Sequence, residues 1–219
     1  MPCRFPLRRF PFHSLPILLG LSLSVSCTTP RVNLSPGARE YVATDYEYVL
    51  KHWTRSKQLF VFKELNDFLT ATSTFESWDF RWAYAVRYAE DYRLTVDQRT
   101  TLLERTLAET QSHHQFYVAL YAQRHDWSDL TRENAAWIIR LIDEKGNETA
   151  PLEIEVVRRP GAIETTYFPY TNVWRVAHRI RFPVRRKDGS LSIAPDAKWF
   201  GLRFAGAQGH QQLVWELGG

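Results

Sequence analysis

The sequence predicts an α+β fold in which N-terminal helices, including a helical hairpin, pack on a C-terminal antiparallel β-sandwich or curled sheet. Apolar residues recur at three- and four-residue steps through most of residues 37–114, which is typical of amphipathic helices. Short aromatic and β-branched runs follow through residues 115–217, with turn residues between them, which is typical of antiparallel strands. A chain of 219 residues, with its first 36 set aside, suits one domain of this kind.

Three helices are predicted in the helix-rich part. Ser35 and Pro36 have the character of an N-cap and a first helical position, so we expect the first helix to run from there to about Arg55. Its apolar face would consist of Tyr41, Val42, Tyr46, Val49, Leu50 and Trp53. The second and third helices would form the hairpin, joined near Leu94, with Thr95 capping the third. Their apolar stripes are Phe75, Trp78, Trp82, Ala85, Tyr88, Ala89 and Tyr92 in one helix and Leu102, Leu103, Thr106, Leu107 and Thr110 in the other.

Strands are predicted at several places. Residues 59–72 are rich in aromatic and β-branched side chains, so we expect at least one strand there, between the first two helices. The candidates in the strand-rich part are residues 116–121, 137–143, 152–157, 173–184, 202–204 and 213–217. The pair Asp188-Gly189 is a hairpin signal between two of them.

The first 26 residues have the composition of an export signal. Three arginines precede an apolar run over residues 15–25, and the small residue Ser26 stands directly before Cys27. The apolar run is about half of the roughly 20 residues that a membrane-spanning helix needs. A retained transmembrane anchor is therefore not expected.

The end of this segment, Leu23-Ser24-Val25-Ser26-Cys27, resembles the signal of bacterial lipoproteins. The resemblance implies cleavage directly before Cys27, which would become the acylated N-terminus. It divides the chain into a signal peptide over residues 1–26, a lipid-anchored tether over 27–36 and a single α+β domain over 37–219. The alternative is an ordinary secretory signal cut near Ser24 or Ser26, which would leave Cys27 unmodified.

Cysteine usage agrees with acylation. The chain has two cysteines, Cys3 and Cys27, and the first lies in the segment predicted to be removed. The mature domain would then have no disulfide, and its single thiol would stand at its first position. The multiple acyl chains of the lipoprotein family would make membrane attachment stable. Thr28, rather than Asp, follows the cysteine, which in Gram-negative lipoproteins implies transport to the outer membrane.

The charge balance argues against a nucleic-acid partner. The whole chain has a net charge of +4, but the first 26 residues contain three arginines and no acid, which leaves 25 basic against 24 acidic side chains. Such a near-neutral domain lacks the basic excess of nucleic-acid-binding proteins. A local basic run remains at Arg179, Arg181, Arg185, Arg186 and Lys187. We interpret it as a solvated face and a hairpin tip; the alternative is a surface for anionic lipid.

Candidate reactive groups form two sets. His113 and His114 are predicted near the end of the third helix, with His125, Asp126 and Asp129 a short loop away. Imidazole and carboxylate groups could bind zinc or act as acid and base, but adjacent helical residues point about 100° apart. The second set is Glu76, Asp79, Glu90, Asp91 and Glu104, which could supply a glycosidase-type carboxylate pair or simply face solvent. Nucleophile and metal motifs are missing from the sequence, so we predict no catalytic residue, cofactor or metal site.

Aromatic residues make up 14% of the chain. The rings on the stripe of the second helix, Trp78, Trp82, Tyr88 and Tyr92, are expected in the core against the sheet. Trp127, Trp174 and Trp199 neighbour turns or charged residues, so these are the rings expected to be exposed for binding, if any are.

Three functions are compatible with these features. The leading one is a cell-envelope lipoprotein, held on the outer membrane through Cys27, whose domain is a non-catalytic binding or structural module for an envelope protein or a cell-wall component. The second is an envelope chaperone or carrier for a lipid or an apolar segment, which needs an apolar pocket. The third is a hydrolase, in which His113, His114 or His125 would converge with Asp126 or Asp129. The oligomeric state stays open.

Overall fold

A computed structural model describes residues 30–61 and 66–218. Within them the chain is an α+β fold with four α-helices and nine strands in two open antiparallel sheets. Cys27, the predicted signal peptide and the first residues of the predicted tether lie outside the described residues. No helix in the described ranges is long and apolar enough to cross a membrane.

The first half of the described chain contains both helices and strands, and the second half contains mostly strands. The helices are α1 (Tyr46–Trp53), α2 (Trp78–Asp91), α3 (Val96–Ser112) and α4 (Ala162–Tyr167). The strands are β1 (Thr54–Val61), β2 (Asn66–Phe75), β3 (His113–Tyr121), β4 (Ile138–Asp143), β5 (Glu148–Thr149), β6 (Glu153–Val157), β7 (Val176–Pro183), β8 (Trp199–Gly206) and β9 (Gly209–Glu216). Two 3-10 turns occupy Ala43–Asp45 and His125–Ser128.

The larger sheet has the order β1-β2-β3-β7-β6 and the smaller one β5-β4-β8-β9. The prediction of at least one strand over residues 59–72 is confirmed, because β1 and β2 both occupy this region. β1 pairs with β2, and β2 pairs with β3, which joins the early strands to those of the second half. The strand-rich part therefore does not form the larger sheet alone.

Aromatic side chains from both sheets meet in one core. The Phe75 ring on β2 lies 5.2 Å from the Phe200 ring on β8, and the Phe116 ring on β3 lies 5.5 Å from the Trp215 ring on β9. All four side chains are buried. Rings of this size remove much apolar surface from water and contribute most of the packing energy of such a core.

The first helix is shorter than predicted. The prediction that it begins at Ser35 and Pro36 is wrong, since α1 begins at Tyr46. The preceding chain is held extended over α2, where Trp78 Nε1 donates to the Gly37 carbonyl at 2.7 Å and Arg39 donates to Asp79 at 2.8 Å. Gly37 has a φ of +150°, which favours glycine and does not continue a helix. The buried residues of α1 are Tyr46, Val49, Leu50 and Trp53, so the predicted periodicity is confirmed over this helix.

The start of α3 follows the prediction, but the aromatic stripe of α2 does not. Thr95 caps α3 in a capping box with Gln98, as its sequence predicts. Ala85 and Ala89 of the predicted stripe are buried, and the other buried residues of α2 are Phe80, Arg81, Ala83 and Val86. Trp78, Trp82 and Tyr88 are only half-buried and Tyr92 is exposed, so the expectation that these four form core is wrong. Small alanines let the helix approach its neighbours closely, and the larger rings pack on one another at the margin, with Tyr88 and Tyr92 stacked at 4.3 Å.

The Asp188-Gly189 turn forms, with Gly189 at a φ of +82°, but it does not join paired strands. A single bridge, Arg185 to Leu191, flanks it. The strands before and after it, β7 and β8, belong to different sheets. The turn therefore redirects the chain between the two sheets.

Candidate ligand-binding cleft

A cleft of about 360 Å³ lies between α2, α3 and the larger sheet. Three side chains of α2 line it at four-residue spacing, namely Phe80, Tyr84 and Tyr88, because this spacing puts them on one helix face. The remaining lining residues are Glu76, Arg81, Leu102, Arg105, Thr106, Glu109, Gln115, Ile163, Phe168 and Arg179. Rings and charged groups thus face the same space.

Arg81 is the buried charge of this cleft, with 4% of its side chain exposed. Its Nη1 donates to Glu109 Oε2 at 2.6 Å and to the Thr106 carbonyl at 3.1 Å, and its Nε donates to the Glu76 carbonyl. Its Nη2 lies 3.5 Å from Glu76 Oε2 and has no hydrogen-bond partner. A buried guanidinium N–H without a partner is costly, and a polar ligand atom could satisfy it.

A chain of polar groups runs from Arg81 across the sheet. Gln115 Nε2 donates to Glu76 Oε2 at 2.9 Å, and Arg181 Nε donates to Gln115 Oε1 at 2.9 Å. Each end of the Gln115 amide therefore has a partner of the correct kind, which fixes its orientation. Glu76 keeps its second carboxylate oxygen for other contacts.

Two further arginines border the cleft. Arg179 Nη2 donates to Glu164 Oε1 at 2.8 Å, and its guanidinium lies over the Tyr117 ring at 5.8 Å. Burial alone would lower the pKa of Arg179, but the bond to Glu164 and the nearby Glu76 raise it above its ordinary value. Arg105 is exposed on α3 and makes no ion pair with any described residue. All N–H groups of the Arg105 guanidinium are therefore available to a ligand in the cleft.

Tyrosines form the aromatic side of the cleft. Tyr84 lies edge-on to Tyr167 at 4.9 Å and is tilted against Tyr88 at 5.8 Å, while Phe168 stacks on Tyr117 at 3.9 Å. Burial, reinforced by the negative charge of Glu76, raises the pKa of Tyr84 well above its ordinary value. This hydroxyl is therefore neutral at physiological pH and can both donate and accept hydrogen bonds.

The structure does not bring the predicted histidines together. His113 and His114 begin β3 instead of ending a helix, and successive strand side chains point to opposite faces. Burial lowers the pKa of His114 to about 4. The set around His125 follows the other end of β3, whose nine residues span about 26 Å. His113 and His114 are thus separated from His125, Asp126 and Asp129 by the length of the strand.

His125 and Asp129 line a separate groove of about 400 Å³. Asp129 accepts hydrogen bonds from the backbone and hydroxyl of Thr131 and lies 3.9 Å from His178 Nε2. Asp126 does not line this groove and pairs with Arg124 at 2.9 Å. Within the described residues, no group of three or more His, Cys, Asp or Glu could hold a metal ion.

The five predicted carboxylates occupy different surroundings. Asp79 accepts hydrogen bonds from Arg39, Tyr41 and Trp53 and so ties the N-terminal segment and α1 to α2. Glu90 pairs with Arg93, Asp91 pairs with Arg87 and accepts from Tyr167, and Glu104 is exposed on α3. Of these five residues only Glu76 lines the cleft.

The three tryptophans expected to be the exposed binding rings, if any are, do not line the cleft either. Trp174 is 73% exposed at the turn before β7, whereas Trp127 is half-buried beneath the Arg124 guanidinium and Trp199 is half-buried at the start of β8. The sequence signal that could have found the cleft is the Phe80, Tyr84 and Tyr88 spacing. Its polar partners come from distant segments and carry no local pattern.

Comparison with protein-family models, with curated proteins and with solved structures finds no match for this chain. What the cleft can do follows from its groups. Arg105 and Arg81 can donate to hydroxyl, carbonyl or anionic oxygens, Glu76 and Glu109 can accept, and Tyr84 can do both. Such a set is suited to holding a polar ligand beside aromatic rings.

Proposed function

We propose that this protein is a lipoprotein of the bacterial cell envelope, attached to the outer membrane through acylated Cys27. Its domain is a non-catalytic module that binds a small polar cell-wall component in the cleft between α2 and α3. The observation that supports binding is the convergence of buried Arg81, free Arg105 and the tyrosine wall on one space of about 360 Å³. This volume is within the range of small-molecule sites.

Cell-wall fragments suit this lining because they combine sugar rings with amide and carboxylate groups. Tyr84 and Tyr88 offer aromatic surface to the apolar faces of a sugar. Arg105 offers a fork-shaped donor set to carboxylate or carbonyl oxygens, and Arg81 adds the N–H groups of its unpartnered Nη2. Glu76 and Glu109 offer acceptors to hydroxyl and amine groups.

A lipid carrier is less well supported by the same lining. Arg81, Glu76 and Glu109 would lose water to an acyl chain that returns no hydrogen bond, which is costly for charged groups. A hydrolase is also less well supported. Both carboxylates that line the cleft are held by one arginine, since Glu76 Oε2 lies 3.5 Å and Glu109 Oε2 lies 2.6 Å from the Arg81 guanidinium.

For the finer architecture we propose that α2 and α3 form the antiparallel helical hairpin and that the two sheets form a β-sandwich. The short connection from Tyr92 to Thr95 and the contact of Arg81, early in α2, with Glu109, late in α3, support the hairpin. The ring contacts between β2 and β8 support the sandwich.

The binding proposal is tested with soluble disaccharide-peptide fragments of peptidoglycan, titrated calorimetrically into the protein. We expect saturable binding that Arg105→Ala weakens by roughly tenfold, the effect of one charge-assisted contact of about 1.4 kcal/mol. The matched control is Arg99→Ala, an exposed arginine on the same helix that does not line the cleft. Absence of binding, or equal effects of the two substitutions, would overturn the assignment of the cleft.

The anchoring proposal is tested separately by intact mass and membrane partitioning of the mature protein, compared with Cys27→Ser. We expect a mass increased by acyl chains and membrane association that the substitution abolishes. A soluble product of plain polypeptide mass in both cases would contradict the anchor and leave the cleft assignment untouched.

A further inference from the structure

The described chain is held against the domain from its first residue. The Pro30 carbonyl accepts a hydrogen bond from Arg55 Nη2 at 3.0 Å. The Arg55 guanidinium is buried and also donates to the His52 carbonyl at 2.8 Å and the Val214 carbonyl at 3.0 Å. Pro30 is thereby tied to the end of α1 and to β9.

Val32 continues this attachment. Its side chain is 1% exposed, its N–H donates to the Glu216 carbonyl at 2.8 Å, and its carbonyl accepts from Gly218 N at 2.9 Å. It forms a parallel bridge with Leu217. Two backbone hydrogen bonds and a buried side chain fix this position to the end of the smaller sheet.

Very little chain is left between this attachment and the proposed anchor. Thr28 and Thr29 alone separate Cys27 from Pro30. Three fully extended steps reach at most about 11 Å. An acylated Cys27 would therefore hold the membrane surface next to the part of the domain that surrounds Pro30.

The surroundings of Pro30 carry groups that suit such a surface. The exposed cations there are Arg31, Lys51 and Lys198. Lys198 is placed by its carbonyl, which accepts from Leu217 N at 2.7 Å, and Lys51 precedes His52, whose carbonyl binds Arg55. Tyr48 is 72% exposed and stacks on His52 at 6.2 Å. Burial, followed by the Arg55 charge, lowers the pKa of His52, so this ring is neutral at physiological pH.

We infer that the face formed by Arg31, Tyr48, Lys51 and Lys198 rests on anionic phospholipid headgroups. This inference rests on the proposed acylation of Cys27. The exposed acids near these cations in sequence are Glu47 and Asp196, which pair with Arg87 and Lys145, and Glu216. The three cations therefore outweigh the acid charge that is not already paired, which favours a phosphate-rich surface. An exposed tyrosine is a common residue at the membrane interface. The acyl chains would supply attachment, and the membrane face would fix the orientation of the domain.

The test compares two labelled positions at opposite ends of the smaller sheet. Lys198→Cys stands directly before β8. His210→Cys stands near the start of β9 and pairs with Ala205, seven residues along β8 from Lys198 or about 23 Å away. Each mature full-length protein carries an environment-sensitive fluorophore at the new thiol, because acylation occupies Cys27. On phosphatidylglycerol vesicles, we expect aqueous iodide quenching to fall several-fold at position 198 and to change little at position 210.

A second variant tests whether protection at position 198 comes from the short chain between Cys27 and Pro30 or from attraction to anionic headgroups. Insertion of 20 Gly and Ser residues between Thr29 and Pro30 gives an average reach of about 25 Å. We expect protection at position 198 to persist on phosphatidylglycerol and to be lost on phosphatidylcholine. Equal loss on both lipids would overturn recognition of anionic headgroups.

The outcomes distinguish this inference from the proposal on which it rests. If the mature protein carries no acyl mass, the anchor fails and the membrane face fails with it. If acyl mass is present but both labels of the native-length protein are quenched as in solution, the membrane face alone is overturned. Protection at position 210 instead of 198 would likewise reverse the orientation and overturn the inference.

Discussion

Arg81 Nη1 donates a hydrogen bond to Glu109 Oε2 at 2.6 Å and so joins the early part of α2 to the end of α3. The same guanidinium bonds the backbone carbonyls of Glu76 and Thr106. Arg81 is buried, whereas Glu109 is half-exposed. One side chain therefore lines the cleft and also connects the two helices that form its wall, which couples the geometry of the cleft to the stability of the domain.

We expect substitutions of Arg81 and of Glu109 to lower the free energy of unfolding by different amounts. Arg81→Met should lower the free energy of unfolding by about 3 kcal/mol, because it removes a buried charge with four contacts and leaves carbonyl groups unpaired. Glu109→Gln should cost about 1 kcal/mol or less, since its carboxylate reaches water. Urea denaturation measures both. The control is Arg93→Met, in an exposed pair with Glu90, and equal losses for Arg81→Met and Glu109→Gln would contradict this account.

The parts of the structure that follow from local chemistry could be predicted from the sequence. Thr95 begins α3 because its side chain and that of Gln98 satisfy each other's backbone groups, which needs only four residues. The Ser35-Pro36 signal is of the same local kind and is wrong, because Asp79 and Trp78 hold the following residues extended. Tertiary hydrogen bonds override local capping at this position.

The cleft could not be predicted because its polar groups meet only through the sheet. Gln115 and Arg179 lie on adjacent strands that are far apart in sequence, and neither residue stands in a recognisable motif. The sequence predicts His113 and His114 on a helix because α3 continues to Ser112, one residue before β3 begins. Element boundaries of this kind depend on strand pairing and not on propensity.

Asp79 is predicted to contribute strongly to stability through its three donors. Burial alone would raise its pKa, but hydrogen bonds from Trp53, Tyr41 and Arg39 lower it below its ordinary value. Asp79 therefore contributes its full stabilisation above the pKa of an aspartate in the unfolded chain, near 3.9. This stabilisation is lost as the pH falls through the lower pKa of the folded state. Asp79→Asn should lower the free energy of unfolding at pH 7 by about 2 kcal/mol, because an amide cannot accept from all three donors.

The matched control for this substitution is Asp97→Asn, an exposed acid in the first turn of α3. Asp97→Asn should lower the free energy of unfolding by less than about 1 kcal/mol, the usual size of a helix-dipole effect. Denaturant unfolding at pH 7 measures both variants. Equal costs would mean that the three hydrogen bonds to Asp79 add nothing beyond a surface charge.

Gly201 on β8 is predicted to reject any side chain. A Cβ there would lie 2.5 Å from the Leu213 carbonyl oxygen on β9, so the two strands would have to separate. Gly201→Ala should lower the free energy of unfolding by about 3 kcal/mol or prevent folding. Gly161→Ala is the control, since its Cβ would contact only the flexible end of Glu164 at 3.5 Å. Thermal unfolding measures both, and similar midpoints would show that the β8–β9 spacing adapts.

His178 is predicted to make the domain sensitive to acid. The ring is fully buried, and its Nε2 accepts a hydrogen bond from Leu130 N at 3.2 Å, which requires the neutral form. Burial lowers the pKa of His178 to about 4, against about 6.5 in an unfolded chain. Between these values the unfolded chain binds a proton that the folded chain does not, so the free energy of unfolding falls as pH decreases through this window.

His178→Gln separates this effect from other acid-sensitive groups, because the glutamine oxygen can still accept from Leu130 N and does not titrate. The substitution should cost stability at pH 7 through imperfect packing, and this cost should shrink by on the order of 1 kcal/mol or more at pH 5, where the wild type bears the protonation penalty. Urea denaturation at the two pH values measures the difference. A cost that is the same at pH 7 and pH 5 would mean that His178 does not oppose folding in acid, and the sensitivity would then belong to other groups such as His114, whose pKa burial also lowers to about 4.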